Sequence, residues 1–130
     1  MHKVRRIAAL MLATPLCIAG ATLAKPVDPL PRLFAERWID GTNGVEPSAQ
    51  VQALDADTFV IRQSIATNFE APFLYLLFGR DKALLIDSGA ENGKNRQVVD
   101  QIIADWLAAK KRTAIPLVVA HSHSHGDHIA

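Results

Sequence analysis

Residues 115–128, IPLVVAHSHSHGDH, decide how this sequence is interpreted. The first six are apolar and rich in β-branched side chains, which predicts a short buried strand over 115–120. Four of the five histidines in the chain follow directly, between positions 121 and 128, together with Asp127. A strand that leads into imidazoles and a carboxylate delivers these groups to one edge of a sheet, where open α/β proteins bind ligands.

Upstream of this stretch, the sequence predicts four more strands and a helix. Strands are expected over 51–54, 58–63, 73–78 and 83–86, and the continuous apolar run at 73–78 predicts a strand covered on both faces. The polar residues between the last two predict a hairpin. Apolar residues then recur at steps of three and four over 95–111, as in an amphipathic helix. This order predicts an α/β fold with the helix packed outside the sheet.

The first 24 residues have the pattern of a signal peptide. A basic segment precedes the uncharged stretch 7–24, and small residues provide candidate cleavage sites after Ala21 and Ala24. The alternative is a membrane anchor, because the uncharged stretch approaches the roughly 18–20 residues of a membrane span. Thr14 and Pro15 dilute its hydrophobicity. We therefore expect a periplasmic or secreted protein, without a stable membrane anchor after cleavage.

Composition narrows the classes of partner and of ligand. The chain has 14 basic and 13 acidic residues, and without residues 1–24 it keeps 11 basic residues against 13 acidic ones. This balance does not indicate a nucleic-acid partner. We expect an extended proline-rich linker with a short helix (32–39) over residues 25–50, and one domain over 51–130. The only cysteine, Cys17, lies in the leader, so a metal in the mature chain needs nitrogen and oxygen ligands.

The spacing of the histidines favours metal binding. Because residues two apart in an extended segment point the same way, we expect His123 and His125 to bind one ion together. Asp127 and His128 are adjacent and point elsewhere, which suits a second ion, and Gly126 is expected to permit a sharp turn between the pairs. The alternative is a solvent-exposed histidine tract that binds metal adventitiously.

Another carboxylate, Asp87, lies at the end of the predicted fourth strand. Ser88 and Gly89 follow it, and an aspartate in such a position commonly caps or turns the chain after a strand. A carboxylate at a strand end can also support a neighbouring site. The residues alone favour the turn.

Two segments resemble one protein family. Residues 123–128, HSHGDH, resemble the His-x-His-x-Asp-His signature of the metallo-β-lactamase superfamily, and residues 85–89, LIDSG, resemble its strand-end Asp-(Ser/Thr)-Gly. The resemblance covers roughly residues 58–130. It implies an αββα sandwich, of which this chain holds the N-terminal half, with a mixed sheet and an outer helix. It also implies a dinuclear site that usually holds zinc, with iron or manganese as alternatives.

The resemblance further assigns roles to individual residues. His123 and His125 are implied to bind the first metal, and Asp127 and His128 the second. Asp127 is implied to orient a bridging hydroxide as the catalytic residue, and Asp87 to be a buried carboxylate that supports the ligands. His121 lies outside the signature and receives no role.

The remaining ligands of the family have no counterpart in this sequence. They are a third histidine for the first metal, a bridging carboxylate and a histidine for the second metal, all from later strands. We therefore expect this chain to be the N-terminal part of an exported hydrolase that is active only at full length. Its small-molecule substrate could be a β-lactam, a lactone, a thioester, or a phosphate or sulfate ester. The alternatives are an iron-dependent oxidoreductase, a non-catalytic metal-binding fragment and an inactive remnant.

Overall fold

Five strands and one helix form the regular structure of residues 33–42, 44–91 and 93–130, which the computed structural model describes. In chain order they are β1 (Ala49–Asp55), β2 (Thr58–Gln63), β3 (Phe73–Phe78), β4 (Ala83–Ile86), α1 (Asn95–Ala109) and β5 (Leu117–Ala120). The strands lie in the sheet in the order of the sequence. Strands β1 to β4 are antiparallel neighbours, and β5 is parallel to β4. The predicted α/β class, with a mixed sheet and a helix, is confirmed.

Short polar connections produce the antiparallel part of the sheet. Between β1 and β2, the Asp57 backbone N–H donates to the Asp55 carboxylate at 2.8 Å. Between β3 and β4, the Gly79 N–H donates to the Lys82 carbonyl at 2.9 Å. The connection from β4 to β5 runs through α1, because a parallel partner requires a long crossover. The carboxyl ends of β4 and β5 therefore lie side by side, with Ile86 paired to Ala120.

One face of the sheet packs against α1 and forms the core. Alternate residues of the strands and one stripe of the helix contribute to it, as their periods of two and 3.6 require. Ring stacking adds to this packing, since the Phe78 and Trp106 rings lie 4.3 Å apart between centroids. The Trp106 indole N–H donates to the Asp57 carboxylate at 2.8 Å, which fixes its ring at the edge of the core. The buried core residues are Ile61, Leu74, Leu76, Phe78, Ala83, Leu85, Val99, Ile102 and Trp106.

The helix α1 ends two residues before the predicted limit. Lys111 adopts a left-handed backbone conformation with φ 55°. Its N–H donates to the Ala108 carbonyl at 3.1 Å, and the Arg112 N–H donates to the Leu107 carbonyl at 2.9 Å. These two bonds satisfy carbonyls of the last helical turn and stop the helix. Among the described residues, no helix has the length and apolar character needed to cross a membrane.

The opposite face of the sheet is less covered than predicted. In β3, Leu74 and Leu76 are fully buried, whereas Tyr75 is 42% exposed. The prediction that this strand is covered on both faces is therefore wrong. The prediction of a buried fifth strand is also wrong, because all four residues of β5 are exposed. Strand β5 lies at the edge of the sheet, with β4 as its one neighbouring strand among the described residues.

Residues 33–39 are irregular, so the short helix predicted over 32–39 is wrong for these positions. Their backbone groups bond to β1 instead of to one another. The Glu36 N–H donates to the Gln52 side chain at 3.0 Å, and the Ile39 N–H donates to the Gln50 side chain at 2.7 Å. Trp38 contacts Phe73 edge to face. The predicted signal peptide, and the linker up to residue 32, lie outside the described residues.

We expect Leu74→Ala to lower the free energy of unfolding by about 2–5 kcal/mol, because truncation of a fully buried leucine leaves a cavity. The matched control is Leu33→Ala, since Leu33 is 72% exposed. The control should change stability by less than about 0.5 kcal/mol. Urea denaturation followed by circular dichroism measures both variants. Equal losses would contradict the assignment of the core to the helix-facing side of the sheet.

Candidate metal centre

The candidate site is built where β4 and β5 end. Asp87 follows β4 directly, and residues 121–130 follow β5. The Asp87 N–H donates to the Ala120 carbonyl at 2.8 Å, which continues the parallel pairing by one residue. Asp87 then adopts a left-handed conformation with φ 64°. This turn directs the chain away from the sheet while its carboxylate stays buried, with only 4% of the residue exposed.

The carboxylate of Asp87 holds the histidine-rich loop. Its Oδ1 accepts the Ser122 backbone N–H at 2.7 Å, and its Oδ2 accepts the Ser122 hydroxyl at 2.9 Å. Oδ2 also lies 2.8 Å from Nδ1 of His128. These partners are 35 and 41 residues away in the sequence, so the carboxylate connects two strand ends and does not close its own turn. The turn that the residues alone favoured is therefore not the role of this side chain.

Three side chains come together beside this anchor. One ligand atom each from His123, Asp127 and His128 can be chosen such that all three lie within 4.8 Å of one another. His128 Nε2 is 2.8 Å from Asp127 Oδ2, and the His123 and His128 rings are 4.0 Å apart between centroids. Two imidazoles and a carboxylate are a donor set that zinc accepts. These three side chains could therefore hold a metal ion.

The orientation of His128 suits a metal ligand. An ionised carboxylate only accepts hydrogen bonds, so the contact with Asp87 assigns a proton to Nδ1 of His128. A neutral His128 then carries its lone pair on Nε2, the atom that faces Asp127. Histidines that bind metals commonly donate their other ring N–H to a carboxylate in this way.

His125 does not belong to the three-residue group, although it lies beside it. Its ring is 4.6 Å from that of His123 between centroids, but His125 is not among the converging ligand atoms. Residues 122–128 form bends and turns, with the His128 N–H bonded to the His125 carbonyl at 3.0 Å. The extended geometry predicted for His123 and His125 is therefore wrong, and so is the separation of Asp127 and His128 from that pair. Metal binding by His125 stays a prediction.

Gly126 does not have the conformational role predicted for it. Its φ is not positive, and a Cβ built at this position would meet no atom within 4 Å. The turn comes from the hydrogen bond between His125 and His128 and from the anchor at Asp87. A side chain at position 126 would fit this conformation.

The buried Asp87 carboxylate and His128 of the loop alter each other's pKa. Burial alone would raise the pKa of Asp87, but the hydrogen bonds from Ser122 and His128 hold that pKa below its usual value. The hydrogen bond to Asp87 raises the pKa of His128, burial opposes this, and the nearby charge of Asp127 adds to the increase. When His128 is protonated, its imidazolium lies between the carboxylates of Asp87 and Asp127.

Sequence reasoning missed three polar residues that support this arrangement. Ser122 donates two hydrogen bonds to Asp87, yet nothing in the sequence distinguishes it from Ser124. Gln63 and Asn95 are buried behind the loop that follows β4. Gln63 could have been found, because the period-two pattern of β2 places it on the same face as Ile61.

Comparisons with known proteins do not assign this site to a family. No family model and no curated protein matches the chain. The evidence for the candidate site is therefore its own geometry. That geometry consists of three converging donors, a buried carboxylate behind one of them, and a position at the carboxyl edge of parallel strands.

We expect the pKa of His128 to lie above 6.5 in the metal-free protein and to fall in Asp87→Asn. A neutral amide cannot stabilise the imidazolium as the carboxylate does. NMR titration of the histidine ring resonances measures both values. The control is Asp100→Asn, which removes an exposed carboxylate paired with Arg96 on α1. An unchanged His128 pKa in Asp87→Asn would contradict the observed pairing.

The same pair predicts how stability depends on pH. Folding raises the pKa of His128, so its contribution to stability is complete below pH 6.5 and is lost as the pH rises through the folded-state pKa. Folding lowers the pKa of Asp87, so its contribution is complete above pH 3.8 and is lost as the pH falls through the folded-state pKa. The pair should stabilise the fold most between these values. Urea denaturation at pH values below, within and above this range gives the stability of the wild type and of Asp87→Asn. The wild type should exceed the variant by the largest margin within the range.

Proposed function

We propose that residues 121–128 and Asp87 form part of the metal centre of an exported, metal-dependent hydrolase of the metallo-β-lactamase type. The convergence of His123, Asp127 and His128 beside the buried Asp87 carries this proposal. In such an enzyme the described sheet and helix would be the N-terminal half of an αββα sandwich. The basic and then uncharged sequence of residues 1–24 supports export to the periplasm or the medium.

Zinc is the metal we propose. Imidazole nitrogen and carboxylate oxygen are both common zinc ligands, and catalytic zinc sites keep three protein ligands with one position open. The three converging donors meet this number for one ion. Iron and manganese accept the same donors and are the alternatives. We propose His125 as a further ligand, because its ring lies 4.6 Å from the ring of His123 between centroids.

A second ion needs more ligands than this group supplies. Within residues 33–42, 44–91 and 93–130, the group of His123, Asp127 and His128 is the only one of its kind. We propose that the additional ligands come from further residues of a longer parent chain, and that hydrolysis requires the completed centre. The exposed outer side of β5 supports this, because it leaves room for a further segment beside the site.

Each residue has a defined task in this proposal. A bound zinc ion supplies a water of low pKa, about 7 instead of 15.7, so that hydrolysis proceeds at neutral pH without a serine or cysteine nucleophile. His128 provides Nε2, and Asp87 retains the proton on Nδ1. Asp127, whose Oδ2 lies 2.8 Å from Nε2 of His128, would hold the metal with His128 and would orient the attacking water. The substrate would be a small molecule with a hydrolysable ester, lactone, thioester or lactam bond.

A second candidate function is metal binding without catalysis. The exposure of His121, His123 and His125 favours it, because an open loop can bind an ion without forming a substrate pocket. A zinc-loaded protein with the completed centre that hydrolyses none of the proposed substrate classes would support this function. Hydrolysis that is lost in Asp127→Asn but kept in Asp100→Asn would support the enzyme.

Zinc titration by calorimetry tests the metal centre directly. We expect His128→Ala to weaken zinc binding by more than the roughly 10–100-fold that the loss of a supporting residue costs, because a ligand itself is removed. His123→Ala should behave similarly. Asp100→Asn, on the exposed side of α1, should bind zinc as the wild type does. Wild-type affinity in His128→Ala would overturn the proposed centre.

A further inference from the structure

Two buried amide side chains lie behind the loop that carries Asp87. Gln63, the last residue of β2, is fully buried, and Asn95, the first residue of α1, is 7% exposed. Asn95 Nδ2 donates to Gln63 Oε1 at 2.8 Å and to the Ser88 carbonyl at 3.1 Å. Gln63 Oε1 also accepts the Ala90 N–H at 3.0 Å. The two amides therefore bind the loop on either side of residue 89.

The orientation of Gln63 is fixed by bonds at both ends of its amide. Its Nε2 donates to the Thr67 hydroxyl at 3.0 Å and to the Glu91 carbonyl at 3.5 Å. Rotation of the amide would place donors against donors and acceptors against acceptors. The side chain of Gln63 is thus a rigid connection between the end of β2 and the loop after β4.

Close packing of the backbone against these amides requires glycine. Gly89 has φ +87°, and a Cβ at this position would overlap Asn95 Nδ2 and lie 2.8 Å from Gln63 Oε1. A Cβ at Gly93 would overlap the amide carbon of Gln63. A larger residue at either position would push the loop away from the amides.

The same loop contacts the histidine-rich segment on its other side. The Ser88 N–H donates to the His128 carbonyl at 3.0 Å, and the Ala130 N–H donates to the Gly89 carbonyl at 3.0 Å. Asp87 itself adopts a left-handed backbone conformation, which residues other than glycine seldom adopt. Such a conformation persists when its surroundings hold it in place. The amides on one side and residues 128–130 on the other provide that restraint.

One atom of Asn95 indicates what the residue contributes. Its Oδ1 is buried without a hydrogen-bond partner, whereas both donors of Nδ2 are used. An unpaired buried acceptor opposes folding. Asn95 therefore contributes through the two hydrogen bonds that its Nδ2 donates to the Ser88 carbonyl and to Gln63 Oε1.

We propose that Gln63 and Asn95 are positioning residues of the metal centre, which hold residues 87–90 so that the Asp87 carboxylate meets His128. The inference rests on the proposed function, since it assigns these residues a role toward the same centre. The amides bond to the loop at Ser88, Ala90 and Glu91, so in this proposal both act on the centre through the position of Asp87. Residues that support metal ligands commonly affect metal affinity by about 10–100-fold.

The test compares Asn95→Leu and Gln63→Met with the core variant Phe78→Leu in the full 130-residue chain. Zinc calorimetry gives the Kd, the visible absorption of the cobalt(II)-loaded protein reports the coordination of the ion, and urea denaturation gives the stability. We expect the two amide variants to bind zinc about tenfold more weakly, with an altered cobalt(II) spectrum. Phe78→Leu loses stability through the core, and it should keep the wild-type spectrum and a Kd within about threefold of wild type because Phe78 pairs with Ala83 at the other end of β3 and β4 from the loop.

The outcomes separate this inference from the proposed function. If the wild type binds no zinc, the proposed function is overturned and the positioning role falls with it. If the wild type binds zinc and both amide variants keep its Kd and its cobalt(II) spectrum, only the positioning role is overturned. Equal loss of affinity in Phe78→Leu would reduce the role of the amides to general stability and overturn it as well. Should Asn95→Leu not fold, Asn95→Ser replaces it, because serine keeps a polar group at this position but is too short to reach both acceptors.

Discussion

The bond between the Asp87 carboxylate and the loop after β5 is the constraint on which the candidate site depends. A buried carboxylate is tolerated when hydrogen bonds replace its water shell, and here Ser122 and His128 provide them. If the loop moved away, the buried Asp87 carboxylate would lose its hydrogen-bond partners. The same bond determines which nitrogen of His128 faces Asp127. Position, tautomer and charge at the site thus follow from one side chain.

This bond is available because of the topology of the sheet. An amphipathic helix between β4 and β5 makes the two strands parallel, and parallel strands place their carboxyl ends at one edge. Burial of Val99, Ile102 and Trp106 on the sheet stabilises that crossover. The apolar pattern of the sequence thus determines where the strands end. The polar residues at those ends determine what the edge can bind.

Much of the fold could be predicted from the sequence, because local signals specify it. Strands β2, β3 and β4 have the predicted bounds, since polar turns flank each apolar run. The exposure of Tyr75 and of β5 could not be predicted, because periodicity tells which residues share a face and not what covers that face. The irregular segment 33–39 shows a similar limit. Its backbone bonds go to side chains of β1 more than ten residues away.

The sequence predicted which residues form the candidate site better than it predicted how they are arranged. The cluster of histidines around Asp127 identifies the loop, but alternation along an extended strand does not apply to a loop of bends and turns. His123, Asp127 and His128 converge, whereas the sequence paired His123 with His125. The pattern of β2 places Gln63 on the buried face, but its bond to Asn95 escapes prediction because the two residues are 32 apart in the sequence. Their common partner is a loop that only the folded chain brings between them.

We infer that the buried Asp87 holds His128 with Nδ1 protonated and with Nε2 available to a metal. Long-range ¹H–¹⁵N correlation spectra of histidine-labelled protein, recorded with and without zinc, measure this orientation. We expect zinc to shift the Nε2 resonance of His128 to that of a metal-bound nitrogen while Nδ1 keeps its proton. Zinc bound through Nδ1, or a His128 ring that zinc leaves unchanged, would contradict it.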